Sequence, residues 1–515
     1  MSVQKLSNIQ KFSTSRRFAI NFASNLSFIT LNILSGLWFT PYLIQNLGIP
    51  VYGVVILANS VTNYLSVVNS ALSNSVGRFL ALDIQKSEIT SANRTFNTAF
   101  WSSIILLFIL LPIIGVFTYF APYIFDVPDG YEFATQWLFA VTMFSYLLVI
   151  VRSIFLSSTF ARNRLDLQNM VSGSNTILRI LVVIYLFSIA TMPNLWHVGI
   201  GTVIGGIVST VLAVIIWRCL TPDLVIDYHY FDKKRLQNVS TMSGWVFINQ
   251  AGTLLLLNID IIIVNMILGA EIGARYGTIF QWTILLRTFG QTASSALAPI
   301  ILSQFAQNKI DSIRSLSSLS IRVMGLVIAL PIGLLVAFTE PLLLLWVGPE
   351  FVKMAMVMRV LIVHLCFNLA VLPLFSVQIA MNKVRWPGLV TLFMGILNVF
   401  LAMYWVGWGQ YGLGVAVAGA VILTLKNAVF TPLYASRIQR LPWFTYLNDL
   451  LPGIIATVIV WFISSAIAKI TPLDSWLHLG VATVPVVLLW FLFSYAFYFR
   501  RLNTLFSDYK NYQHR

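Results

Sequence analysis

The chain is 515 residues long, 58% hydrophobic and only 10% charged, with a mean hydropathy of +0.84. Soluble domains carry about 25% charged residues, so this composition excludes a soluble globular protein and marks an integral membrane protein. A net charge of +15 would suit a nucleic-acid partner, but the placement of the basic residues excludes that reading.

At the N-terminus Lys5, Lys11, Arg16 and Arg17 precede an apolar run, as they would in a signal peptide. The run continues for more than 20 residues without a small-residue cleavage site, so it reads as a first spanning helix. From there, apolar segments of spanning length number fourteen, at 18–40, 51–74, 97–121, 134–156, 172–190, 197–217, 243–267, 276–302, 320–340, 355–380, 387–407, 412–436, 449–470 and 476–499. An even number puts both termini on one side of the membrane.

The basic residues support this arrangement. The termini and the even-numbered loops hold 24 Lys and Arg residues, whereas the opposite loops hold only Arg275, Lys353, Arg359 and Lys469. Positively charged loops stay cytoplasmic, so both ends are expected in the cytoplasm, with the basic charge facing anionic lipid headgroups. Cys219 and Cys366 are too few for a disulfide scaffold or a cysteine metal site and read as inert buried thiols.

The loops are short. The longest, 218–242, mixes Asp223, Asp227 and Asp232 with Lys233, Lys234 and Arg235, and reads as a cytoplasmic connector. A repeat supports that division: Leu47-Gly48 followed by Tyr52-Gly53 is echoed by Leu268-Gly269 followed by Tyr276-Gly277, and Ser70-Ala71-Leu72 by Ser295-Ala296-Leu297. The expected fold is all-α, with two six-helix lobes at 1–217 and 243–440 related by a parallel pseudo-twofold. Two further helices and a tail occupy 441–515.

The second span carries Asn59, Asn63, Ser66 and Ser70 at offsets of 4, 7 and 11, which share one helical face. Asn249, Thr253 and Asp260 in the seventh span, and Asn21, Asn25 and Asn32 in the first, repeat the offsets 4 and 11. A polar face inside a membrane lines a wet cavity or packs on a polar partner.

Fourteen helices as 6+6+2, with PYLIQNLGIPVYG after the first and SALSNSVGRFLA closing the second, resemble the polysaccharide transporter (Wzx-type flippase) branch of the multidrug/oligosaccharidyl-lipid/polysaccharide exporter superfamily. The resemblance spans essentially the whole chain, and its motifs are structural rather than chemical. It implies translocation of an undecaprenyl-diphosphate-linked oligosaccharide across a bacterial cytoplasmic membrane by alternating access. By the same resemblance, 449–499 would form a groove for the lipid tail, and membrane lipids, a polysaccharide polymerase and chain-length proteins are the implied partners.

Ionisable residues at bilayer depth cost roughly 2.5–3.5 kcal/mol each on insertion scales and so face the protein interior. Arg287 lies near the middle of the eighth span, with Thr283, Gln291 and Ser294 on its face. Arg179 and Lys426 lie deeper than a helix terminus, whereas Arg152 is near enough to the inner surface to read as a topological charge. Asp260 would either pair with Arg287 or bind a coupling H⁺ or Na⁺; His364, one turn from Asn368, reads as a hydrogen-bonded core residue. Arg287, Lys426 and Arg179 against Asp260 leave a cationic surplus, which suits a diphosphate and not a cationic drug.

No metal-spaced cluster, nucleophile–base pair or nucleotide loop appears, so no cofactor is expected and an enzyme is the weaker reading. The alternatives kept open are an ion-coupled multidrug or metabolite antiporter, a lipid II-type flippase, and an enzyme or scaffold of envelope polysaccharide assembly. The charge distribution makes one direct prediction. Tags at both termini should react with a membrane-impermeant reagent only after the cells are opened, and labelling of intact cells at both ends would reverse the topology.

Overall fold

The computed structural model describes residues 3–86, 88–295, 301 and 310–495. Among them the chain is helical throughout, with no strand. By length and apolar composition ten helices can cross a membrane, or up to twelve if two bent pairs each count as one span. Fourteen spans were expected; the described part of each expected segment is helical, but two of them fall outside that count. The eighth folds as Ala270–Ser295, whose polar residues keep it outside that count, and the last is a shorter apolar helix, Trp476–Leu492. Ala296 and Leu297 of the second motif echo, Lys309 and the tail beyond 495 lie outside the described residues.

The repeated Leu-Gly pair has a backbone reason. Gly48 (φ 79°) separates Val3–Leu47 from Ile49–Asn63, and Gly269 (φ 95°) separates Ile259–Leu268 from Ala270–Ser295. Each turns one helix sharply into the next with a left-handed φ that glycine alone adopts without strain. The tyrosine that follows is buried both times, Tyr52 against Thr40 (3.3 Å) and Tyr276 against Asp260 (3.3 Å).

Two compact units are present, one comprising Met1–Leu254 with Asn265–Ala274, the other Leu255–Val264 with Arg275–Arg515. In the first unit Phe96 stacks on Trp217 (centroids 5.1 Å apart), and Phe155, Val76, Leu80 and Ile154 close the core around them. The segment after Leu195–Leu220 is held to the helix Ile89–Ile124 by side chains that act as a substitute strand. Asn93 donates to the Asp223 carbonyl (3.0 Å) and accepts from Val225 N–H (2.9 Å). Asn97, one turn on, donates to the Val225 carbonyl (2.8 Å) and accepts from Asp227 N–H (2.8 Å). Thr98 then receives Asp232 N–H (3.0 Å). Beyond it, the Asp83 carboxylate accepts from Thr95 (2.6 Å), Ser91 (3.1 Å) and Arg235 (3.4 Å). The connector therefore engages the first unit through side-chain amides placed four residues apart.

In the second unit Ile310–Ala337 runs along Leu451–Ile470. Gly325 and Gly453 let the two backbones meet, since a Cβ on Gly325 would lie 3.0 Å from the Gly453 Cα. The final helix turns Leu477, Val481, Leu488 and Leu492 outward, each more than half exposed. Of the two cysteines expected to be buried, Cys366 is, whereas Cys219 is exposed near the end of its helix.

The Asn97 side chain is fully buried and makes two of the connector hydrogen bonds. Replacing it with Leu removes them and should cost about 1–3 kcal/mol by stranding the backbone groups. Limited trypsin digestion should then cut faster at Lys233 and Lys234, and an unchanged digestion rate would show that the clamp contributes nothing.

Candidate functional site

In the second unit the site begins at a break in a helix. Lys233–Leu257 stops at Asn258 and Ile259–Leu268 resumes, with the two apolar parts bent by 45°. A stopped helix leaves carbonyls without intrahelical partners, and hydrocarbon offers no water to replace them. Here Asn398 donates to the Leu255 carbonyl (3.4 Å) and Arg287 Nη1 to the Leu257 carbonyl (3.2 Å). Asp260 sits in the first turn of the resumed helix, where the exposed amide ends favour a carboxylate. It is 4% exposed and accepts hydrogen bonds from Tyr276 (3.3 Å) and Asn398 (3.4 Å).

Asp260 and Arg287 are within electrostatic reach of each other, yet among the described residues no ion pair within 4.0 Å joins them. The Arg287 guanidinium instead lies 5.5 Å from the Phe280 ring, and its buried Nε has no hydrogen-bond partner. Thr283 is fully buried with an unpartnered hydroxyl, Ser294 is buried, and Gln291 is exposed.

A second cation, Lys426, lies where Leu413–Thr424 passes into a π-helical turn, Leu425–Phe430. Its ammonium is 4.5 Å from the Phe375 ring centre and the residue is 9% exposed. Among the described residues it has no acidic partner. The turn is tied inward: Asn427 donates to the Asn368 carbonyl (3.4 Å), and Asn368 donates to Thr424 (3.3 Å) and to the His364 carbonyl (2.8 Å). His364 is buried at the junction of Ala355–Val363 and Leu365–Asn368, with its Nδ1 2.8 Å from the Asn368 amide.

In the first unit Arg179 is half-buried, and its buried Nε has no partner among the described residues. Asn25, Asn32, Asn59, Asn63 and Asn249 are all exposed although they lie within apolar helices; Ser66, Ser70 and Thr253 are half-buried. Thr253 donates to the Asn249 carbonyl (2.8 Å), Asn32 to the Phe28 carbonyl (2.7 Å), and Asn21 engages Asn163 (3.0 Å). An exposed amide facing hydrocarbon would be unsatisfied at a cost of several kcal/mol, so these faces are hydrated or partnered.

Two expected alignments are altered by breaks. The turn at Tyr64–Leu65 interrupts the face from Asn59 to Ser70, and the turn at Asn258 takes Asp260 off the straight line through Asn249 and Thr253. Arg152, read as a topological charge near the inner surface, is 8% exposed and donates to Ser209, which also receives Asn175 (3.1 Å). The residues that complete the second unit's network, Asn398, Asn427 and Phe375, carry little signal in the chain beyond being polar or aromatic within an apolar span. Among the described residues no group of three or more His, Cys, Asp and Glu side chains gathers to hold a metal ion.

Comparison with known proteins places this architecture. The family model described as polysaccharide biosynthesis protein matches residues 18–306, more than half of the chain. The uncharacterized membrane protein EpsK of Bacillus subtilis (strain 168) is 31% identical over 481 residues, covering 93% of this chain and 95% of that one. Among solved structures, the lipid II flippase MurJ in an inward closed conformation superposes with a TM-score of 0.67 at 12% identity, covering 93% of this chain and 100% of that one. An inward-facing multidrug resistance MATE family transporter of the MOP superfamily gives 0.64 at 13% identity, covering 85% and 97%. The structural likeness is one of fold, and the family match together with the EpsK alignment makes this multi-pass membrane chain a member of the polysaccharide biosynthesis protein family.

Proposed function

We propose that the protein is a flippase, carrying an undecaprenyl-diphosphate-linked oligosaccharide, the repeat unit of a cell-surface polysaccharide, from the inner to the outer leaflet of the bacterial cytoplasmic membrane by alternating access. Both termini would be cytoplasmic. The observation that carries this reading is the state of the in-span cations. Among the described residues Lys426 and Arg179 have no acidic partner, and Arg287, though within electrostatic reach of Asp260, forms no ion pair with it within 4.0 Å, while Asp260 is hydrogen-bonded by Tyr276 and Asn398.

A diphosphate brings about two negative charges into a poorly hydrated environment, and charge-assisted hydrogen bonds from Arg and Lys offset the loss of its water. In the first unit the exposed amides of Asn25, Asn32, Asn59, Asn63 and Asn249, with Ser66, Ser70 and Thr253, would meet sugar hydroxyls, as would Gln291 in the second; Thr283 is too buried to do so. The outward-facing apolar side chains of Trp476–Ser494 suit a prenyl tail that stays in lipid. With no nucleotide motif in the chain, the energy would come from an ion or substrate gradient; Asp260, with the neutral donors Tyr276 and Asn398 around it, is the group best placed to take up a coupling H⁺ or Na⁺. His364, bonded within its own segment, is the weaker candidate. Relatives in fold include a multidrug transporter, but a cationic drug would require surplus acid, the reverse of the balance here.

Transport into sealed vesicles, with defined lipid-linked sugars and imposed ion gradients, tests the reading. Arg287→Ala should insert normally and lose flipping about tenfold or more, as expected when a charged hydrogen bond worth about 1.5–3 kcal/mol is removed; wild-type flipping by that variant would overturn its role. Asp260→Asn should retain binding of the lipid-linked sugar while its transport ceases to respond to an imposed H⁺ or Na⁺ gradient. Unchanged gradient dependence would remove Asp260 from coupling.

A further inference from the structure

The turn that presents Lys426 is a departure from regular helix. Leu413–Thr424 is α-helical, Leu425–Phe430 is a π-turn, and Thr431–Ile438 returns to α. A π-turn holds one extra residue, has poorer packing than an α-turn, and is retained mostly where a side chain must be aimed. Here the Lys426 carbonyl is gripped twice by Thr431, through the backbone N–H and through the hydroxyl at 3.0 Å. The next residue, Asn427, is bound to Asn368, which also holds Thr424 at the end of the preceding helix. Thr424 and Asn427, which flank Leu425 and Lys426 in the chain, are thus both fastened to one buried asparagine.

The surroundings of the ammonium are unusual in what they omit. An ammonium has three N–H donors and no acceptor. Beside it lies the Phe375 ring, 4.5 Å away, whose face attracts a cation without occupying those donors. The amides of Asn368 and Asn427 turn their nitrogens into the scaffold, and among the described residues their buried oxygens have no hydrogen-bond partner. Lys426 is also too buried, at 9% exposed, to be relieved by bulk water.

The geometry points to a positioning device: the π-turn, anchored by Asn368 through Thr424 and Asn427, keeps the Lys426 ammonium aimed and without a counter-charge, so that it receives an anionic phosphate group of the substrate. This rests on the reading of the substrate as a prenyl diphosphate conjugate and specifies a device that reading does not require. Asn368 and Asn427 are positioning residues, and Lys426 alone touches the anion. Neutral amides serve where aspartates of the same shape would neutralise the lysine.

Farnesyl diphosphate and uncharged farnesol serve as probes, titrated into the purified full-length protein by calorimetry. The wild type should bind farnesyl diphosphate more tightly than farnesol, and Lys426→Arg should keep that preference. Lys426→Gln should weaken diphosphate binding by about tenfold or more. The deciding variants leave the lysine in place. Asn427→Asp supplies a neighbouring counter-charge, and deletion of Val429, a residue 42% exposed on the outward face, removes the extra residue of the turn. One residue is about 100° of helical rotation, so either change should reproduce the loss seen in Lys426→Gln while farnesol binding stays at the wild-type level. Wild-type diphosphate binding by Asn427→Asp would overturn the inference and leave the anionic-substrate reading intact. A wild type that shows no preference for the diphosphate would overturn that reading and this inference with it.

Discussion

The constraint on which the second unit's organisation rests is that a helix stopped inside a bilayer must still find partners for its last carbonyls. At Asn258 the chain stops and restarts within an apolar stretch, where hydrocarbon could not hydrate the ends. Arg287 and Asn398 supply the missing donors, and in doing so they are drawn to the same few ångströms as Asp260 and Tyr276. A backbone defect, a cation, an acid and two neutral donors thus become one network. Each member has a reason to be there independent of transport, and together they form a polar centre within apolar helices.

Charge is managed in two ways. Some cations are matched with acids: Arg275 with Glu350 (3.1 Å), Arg359 with Glu340 (2.9 Å), Arg322 with Asp449 (2.7 Å). Arg287 and Lys426 are instead set against aromatic rings, and Arg287 also against a backbone carbonyl, partners that attract a cation without neutralising it. Desolvating a charge without pairing it is expensive, which is why these cations carry the proposed reading. The family to which the chain belongs is described as one of polysaccharide biosynthesis proteins.

The side-chain clamp on the connector shows the same economy in the first unit. Asn93 and Asn97 are one helical turn apart, so their amides meet successive backbone groups of an extended strand and satisfy them in the way a neighbouring strand would. A stretch that composition marks as a loose, charged loop is thereby given a fixed course, and Asp83 and Arg235 close its far end.

The membrane class, the helical architecture, most of the spans and the asymmetry of basic residues were legible in the amino-acid order, because hydrophobic length and charge placement act locally. The in-span ionisable residues were legible for the same reason: any charge inside a 20-residue apolar run stands out. Which partners they find was not. Asn398 reaches Asp260 across 138 positions of chain, and nothing in either local sequence announces that meeting. The break at Asn258 has no proline or glycine to mark it, the π-turn at Lys426 is a property of hydrogen-bond register, and the burial of Arg152 depends on Ser209 from another helix. Transfer free energy is summed along a segment and can be read from it, whereas hydrogen-bond satisfaction is settled between segments, and only their packing decides it.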